Sequence, residues 1–180
     1  MFGPDSYIYG AAAKMWSDWL SPSELATLVK GGYYTTMLGP KLRLIALQTV
    51  YYYKADKVTA QDPDPAGQFE WMEKLLQQSV AAGERVYIAG HVPPGCFDQS
   101  PNWCQMNDMH LKRYVSIVNK YAVCIVAQFY GHLHSDSFRI VGDGAPPSHV
   151  SAFEPKTILF LAPSLSPHSM RNNPAVRQYT

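Results

Sequence analysis

Three histidines stand where apolar runs give way to glycine. His132 and His134 lie in Tyr130-Gly131-His132-Leu133-His134, delivered by the run Tyr121-Ala122-Val123-Cys124-Ile125-Val126-Ala127-Gln128-Phe129. His91 follows Arg85-Val86-Tyr87-Ile88-Ala89-Gly90 and precedes Val92-Pro93-Pro94-Gly95. Neutral imidazole is a common ligand for zinc and similar ions. A β-branched and aromatic run bounded by glycine reads as a buried strand, so each histidine falls where a strand ends and a loop begins, the place where α/β proteins put chemistry. Gly131 is expected to let the backbone turn so that two rings one residue apart reach a single site. A His-x-His pair after one strand also reads as a surface or capping pair; the second Gly-His at another strand end is what favours a site. With both strands in one sheet and their carboxyl ends aligned, His91, His132 and His134 converge on one edge. Three histidines are still fewer than a two-ion hydrolytic centre needs, because each ion takes several ligands and the bridging one is normally a carboxylate.

The elements that position these residues follow from pattern. Ile8 to Leu20 carries Ala11, Ala12, Met15, Trp16, Trp19 and Leu20 at helical spacing, which predicts an amphipathic packing helix. Ser21-Pro22-Ser23-Glu24 is a capping-box start with proline at the first helical position, and Lys30-Gly31-Gly32 is a stop. Tyr33 to Leu38 and Leu42 to Thr49 predict two antiparallel strands joined through Gly39-Pro40. Tyr51, Tyr52 and Tyr53 read either as the lip of a pocket or as packing tyrosines at a strand exit. Residues 55–65 form a polar loop; Asp64-Pro65 then opens a helix whose stripe is Phe69, Met72, Leu75, Leu76 and Val80, ending at Gly83. Cys96 to Asn107 reads as a loop, Asp108 to Tyr121 as a helix with His110 solvated at its start. Asp136 to Val141 and Thr157 to Leu161 complete the strands, with a loop containing His149 between them. Ser135 and Asp136 either orient an imidazole or are simply solvated.

Composition excludes several classes. With 180 residues, 47% of them hydrophobic and 13% aromatic, the chain can bury one core and is not disordered. Fifteen basic against fourteen acidic side chains leave a net charge of +1 with no block of one sign, so nothing tracks a nucleic-acid backbone or an anionic membrane. No run is long enough to span a bilayer, and the amino terminus lacks the basic start and apolar core of a signal peptide. Cys96 and Cys104 either form a local disulfide or remain thiols; Cys124, within an apolar strand, reads as a buried inert thiol.

Four stretches taken in order resemble the acid sphingomyelinase and acid sphingomyelinase-like phosphodiesterases of the calcineurin-like metallophosphoesterase superfamily. They are Asp64-Pro65-Ala66-Gly67-Gln68-Phe69-Glu70-Trp71, Gly90-His91-Val92-Pro93-Pro94-Gly95, Gln128-Phe129-Tyr130-Gly131-His132-Leu133-His134 and Asn173-Pro174-Ala175-Val176-Arg177. The resemblance implies an α/β fold, part of a four-layer αββα sandwich, with a two-metal zinc centre on the strand-end edge. It implies His91 and His132 on one ion and His134 on the other.

The family's Asp-x-His, Gly-Asp-x-x-Asp and Gly-Asn-His-Asp/Glu motifs have no counterpart here, nor does its helical tail. The expectation is therefore that residues 1–180 are the carboxyl-terminal portion of the catalytic domain, without the bridging aspartate or the general-acid histidine, holding fewer than two zinc ions. By resemblance the parent protein is a secreted or lysosomal hydrolase cleaving sphingomyelin or a nucleotide-type phosphodiester. The chain itself is expected to be weakly active or inactive, with an exposed apolar sheet face through which it associates. The alternative is a non-catalytic zinc-binding or interaction fragment.

Overall fold

The computed structural model describes residues 3–4, 6–97, 100–143, 153–166 and 173–179. Its centre is a six-stranded mixed sheet built from β1 (Tyr34–Gly39), β2 (Leu42–Ala46), β3 (Arg85–Ala89), β6 (Ile125–Tyr130), β7 (Ser137–Asp143) and β8 (Glu154–Leu161), in the order β1-β2-β3-β6-β8-β7. The strands β2, β3, β6 and β8 run parallel, while β1 and β7 pair antiparallel at the two edges. Parallel neighbours need crossovers, and the helices α3 (Gln68–Ala82) and α4 (Asp108–Lys120) supply them before β3 and β6. The result is a mixed α/β architecture, as the residue pattern implies.

Alternation within the parallel strands sets the core. Ile45, Val86, Ile88, Leu159 and Leu161 are buried with Phe69, Met72 and Leu76 of α3 and Tyr114, Ile117 and Val118 of α4. On alternate positions Tyr87, Phe129 and Phe160 form a half-buried aromatic row, Tyr87 edge-on to Phe129 at 5.4 Å and Phe129 stacked on Phe160 at 6.0 Å. Tyr179 stands against both phenylalanines.

Local signals mostly hold. In α2 (Pro22–Gly31) the Ser21 side chain accepts from the Glu24 amide and the Glu24 carboxylate accepts from the Ser21 amide, with left-handed Gly32 as the cap. Two helices are shorter than their apolar spacing suggests. The first, α1, spans Tyr7–Met15, and Trp19 beyond it is 78% exposed rather than packed. The other, α3, begins at Gln68, because Ala66 and Gly67 take left-handed φ values of 58° and 67° that an α-helix cannot continue. Asp64 still serves its start, accepting from the Phe69 and Glu70 amides.

Three further differences bear on the site. The run from Tyr121 to Phe129 is not all strand: residues 121–124 turn, with the Cys124 amide donating to Tyr121 O, and β6 begins at Ile125. Cys124 is buried just before that strand, and burial raises its thiol pKa. The segment after His91 is a hairpin, β4 (Cys96–Phe97) against β5 (Ser100–Cys104), closed by a Cys96–Cys104 disulfide. His110 is fully buried, not solvated: its Nε2 donates to Asp62 O at 2.7 Å and its ring packs on Tyr52 and Phe69. Asp98, His149 and His168 lie outside the described residues.

Candidate metal centre

The parallel pairing of β3 with β6, Ala89 opposite Phe129, brings the two Gly-His strand exits side by side. The His91 and His132 rings meet edge to face with centroids 5.1 Å apart. Gly90 is what permits this exit: a Cβ there would sit 2.8 Å from both Thr49 Cγ2 and Tyr130 Cε1. Gly131 is not crowded in that way, since its Cβ would find His91 Nδ1 at an ordinary 3.5 Å. The turn expected of Gly131 is made by the histidines themselves, His132 at φ 68° and His134 at φ 57°. Left-handed backbone at two non-glycine residues costs about 1 kcal/mol or more each, so the surrounding contacts must hold it. Leu133, buried between them, is the apolar anchor of that double turn.

Several side chains far apart in sequence hold these exits. Thr49, fully buried in the 3-10 turn Thr49–Tyr52, accepts from the His91 and Val92 amides at 2.9 and 2.8 Å. Gln68, at the start of α3, accepts from the Gln48 amide at 2.7 Å and donates to the Tyr52 hydroxyl, tying the end of β2 to that turn. Arg139 of β7 donates to the carbonyls of Pro94 and Cys96, pinning the turn that follows His91. Beneath the site, Tyr114 Oη donates to Gln128 Oε1 at 2.5 Å and bonds Tyr130 Oη, while Gln128 Nε2 donates to Thr157 Oγ1 at 2.7 Å. Tyr51 and Tyr52 are buried packing residues; Tyr53 reaches the site, edge-on to His132 at 4.9 Å.

The electrostatics favour neutral rings. His132 has its pKa lowered from 6.5 to about 4, by burial first and then by His91 and His134; His91 is lowered by burial and by His134. Asp136 pairs not with an imidazole but with Arg177, whose guanidinium also lies 5.6 Å from the Phe160 ring. The Asn-Pro-Ala-Val-Arg stretch thus meets the residues just after His134, Arg177 pairing with Asp136 and donating to Ser137 O.

In kind, the donors fit a zinc-type ion: nitrogen ligands kept neutral at a strand-end edge. They do not close around one, since among the described residues no group of three or more His, Cys, Asp or Glu side chains is arranged to hold a metal ion. Thr49 and Gln68 carry no sequence signal of their role; Gln68 lies within a recognised stretch, but Thr49 is an ordinary residue type whose partners are remote in sequence.

Comparison with known proteins gives a consistent pattern. The cyclic GMP-AMP phosphodiesterase SMPDL3A of Bos taurus is 38% identical over 182 residues, covering 97% of this chain and 39% of that protein. Sphingomyelinase phosphodiesterase C of Dictyostelium discoideum is 36% identical, covering 98% of the chain and 40% of its own length. Acid sphingomyelinase-like phosphodiesterase 3b of Homo sapiens is 36% identical over 96% of the chain and 39% of that protein. The chain therefore spans about two fifths of the length of the curated relatives it matches. No family model matches it.

Proposed function

The chain is homologous over 97% of its length to the acid sphingomyelinase-like phosphodiesterases, and from that premise we propose that it supplies the histidine ligands of a zinc-dependent phosphoric diester hydrolase. The observation that carries the reading is the 5.1 Å approach of His91 and His132 at adjacent parallel strand exits. His91 and His132 would hold one ion and His134 would contribute to a second. When bound, zinc supplies Lewis-acid stabilisation of phosphate oxygens and a water of lowered pKa. The protein's own part is to present neutral nitrogen donors in a fixed direction, which Thr49, Tyr53 and Arg139 do by holding the two exits.

The substrate class is a phosphodiester, the bond shared by the cyclic GMP-AMP and sphingomyelin activities in the relatives' names. An oxidising, acidic setting, extracellular or lysosomal, suits the Cys96–Cys104 disulfide and rings that stay neutral below the usual histidine range. No helix among the described residues is long and apolar enough to cross a membrane. The half-buried aromatic row of Tyr87, Phe129 and Phe160 supports association through that sheet face.

The isolated 180-residue chain is expected to turn over substrate weakly or not at all, because the described residues enclose no three-ligand metal group. The same observation favours a second reading, a non-catalytic zinc-binding or interaction fragment. Elemental mass spectrometry of the purified chain, with His132→Ala as control, tests both alongside hydrolysis of a nitrophenyl phosphodiester. Zinc bound by the wild type and lost in the variant supports the site. Robust zinc-dependent hydrolysis would discard the second reading; no zinc in either protein would discard the site.

A further inference from the structure

Gln105 immediately follows the disulfide-bonded hairpin and is 1% exposed. Its backbone is fixed at both ends, the amide donating to Gly95 O at 3.0 Å and the carbonyl accepting from the Lys54 amide at 2.9 Å. Its side-chain Nε2 donates to Trp103 O at 3.0 Å. That bond decides the orientation of the amide, because the flipped amide would set its oxygen against another carbonyl oxygen. The side-chain oxygen therefore faces His132, with Oε1 3.0 Å from Nε2. A carbonyl oxygen only accepts, so the hydrogen of the neutral imidazole lies on Nε2 and the lone pair on Nδ1.

We propose that Gln105 is a positioning residue: it holds His132 in the Nε2–H tautomer, directs its ring, and leaves Nδ1 as the nitrogen that can ligate a metal. The hydrogen-bond partner of one ring nitrogen sets what the other can do, and such partners typically change metal affinity ten- to a hundredfold. The hairpin matters to this arrangement because Cys104, tied to Cys96 by the disulfide, directly precedes Gln105, whose amide is held by Gly95 O. The metal part of the proposal rests on the zinc reading above; the tautomer does not.

The test is nitrogen-15 correlation spectroscopy of the histidine rings in the metal-free full chain at neutral pH, for wild type, Gln105→Leu and Gln105→Glu, followed by titration with zinc ion alone. Wild type should show His132 with the proton on Nε2. Gln105→Leu should give a mixture of tautomers and about ten- to a hundredfold weaker zinc binding. Gln105→Glu, with the buried carboxyl protonated so that its O–H replaces the amide's donation to Trp103 O, still accepts from Nε2–H and should keep the wild-type tautomer, a rescue that a purely packing role would not produce. A wild-type His132 protonated on Nδ1 overturns the proposal even if the leucine variant fails to fold, as does an unchanged tautomer in a folded leucine variant. The expected tautomers without zinc binding by wild type would support Gln105 as the orienting group and overturn the zinc reading instead.

Discussion

Replacing Thr49 by valine should loosen the His91 exit while leaving the core volume almost unchanged. Thr49 is fully buried, and its one oxygen accepts from the amides of His91 and Val92 at 2.9 and 2.8 Å. Valine fills the same space and accepts nothing. A buried donor left unpaired costs about 1–3 kcal/mol; with the His91 amide only partly buried, the two together should cost about 2–4 kcal/mol. Thr49→Ser keeps the oxygen and loses one methyl group, for about 1 kcal/mol. Urea unfolding at neutral pH measures both values, and amide hydrogen exchange localises the effect, with faster exchange at His91 and Val92 in the valine variant alone. A valine variant within about 0.5 kcal/mol of wild type, or a serine variant as destabilised as valine, would refute the idea that this hydroxyl holds the exit.

Three further outcomes are expected. The His132 ring should titrate near pH 4 by nuclear magnetic resonance, since its pKa is lowered from 6.5. A histidine harder to protonate folded than unfolded loses stability as pH falls from about 6.5 towards 4; at this half-buried ring the loss, discounted for solvent, is on the order of 1 kcal/mol, and His132→Asn should remove it from urea melts across that range. Tyr114→Phe deprives Gln128 Oε1 and Tyr130 Oη of a partner in a buried network and should lower stability by about 1–3 kcal/mol by chemical unfolding. Arg177→Ala removes the Asp136 pair and the contact over Phe160; with Asp136 half exposed the stability change should stay under about 1 kcal/mol, but limited proteolysis within residues 173–179 should quicken.

Wherever the signal was local, the sequence could be read directly. The capping box of α2 depends on Ser21 and Glu24, three residues apart, and needs nothing beyond the turn it closes. The strands β3 and β6 followed from short apolar runs that end in glycine; their parallel pairing, a condition in that reading, is what places His91 and His132 at one edge. Where spacing and burial diverged, the reading failed. The pattern in residues 8–20 resembles a packed stripe, but helix α1 stops at Met15 and Trp19 faces solvent. His110, beside Asp108 at a helix start, has the look of a surface residue, yet it lies under Tyr52 and Phe69 with its hydrogen bond to Asp62, 48 residues away.

What the sequence determined by itself is the class of element and the kind of donor: strands that end in Gly-His, an α/β alternation, and imidazoles rather than thiolates or carboxylates at the strand ends. The direction those imidazoles take was settled by the fold. Gln105 reaches His132 across 27 residues and Thr49 reaches the His91 turn across 42. The physical reason is that strand periodicity and glycine act through neighbours along the chain, whereas a ring's tautomer and tilt depend on whichever buried oxygen the fold brings to it. Glutamine and threonine become orienting groups only when that packing sets their oxygens against the N–H groups of the exits.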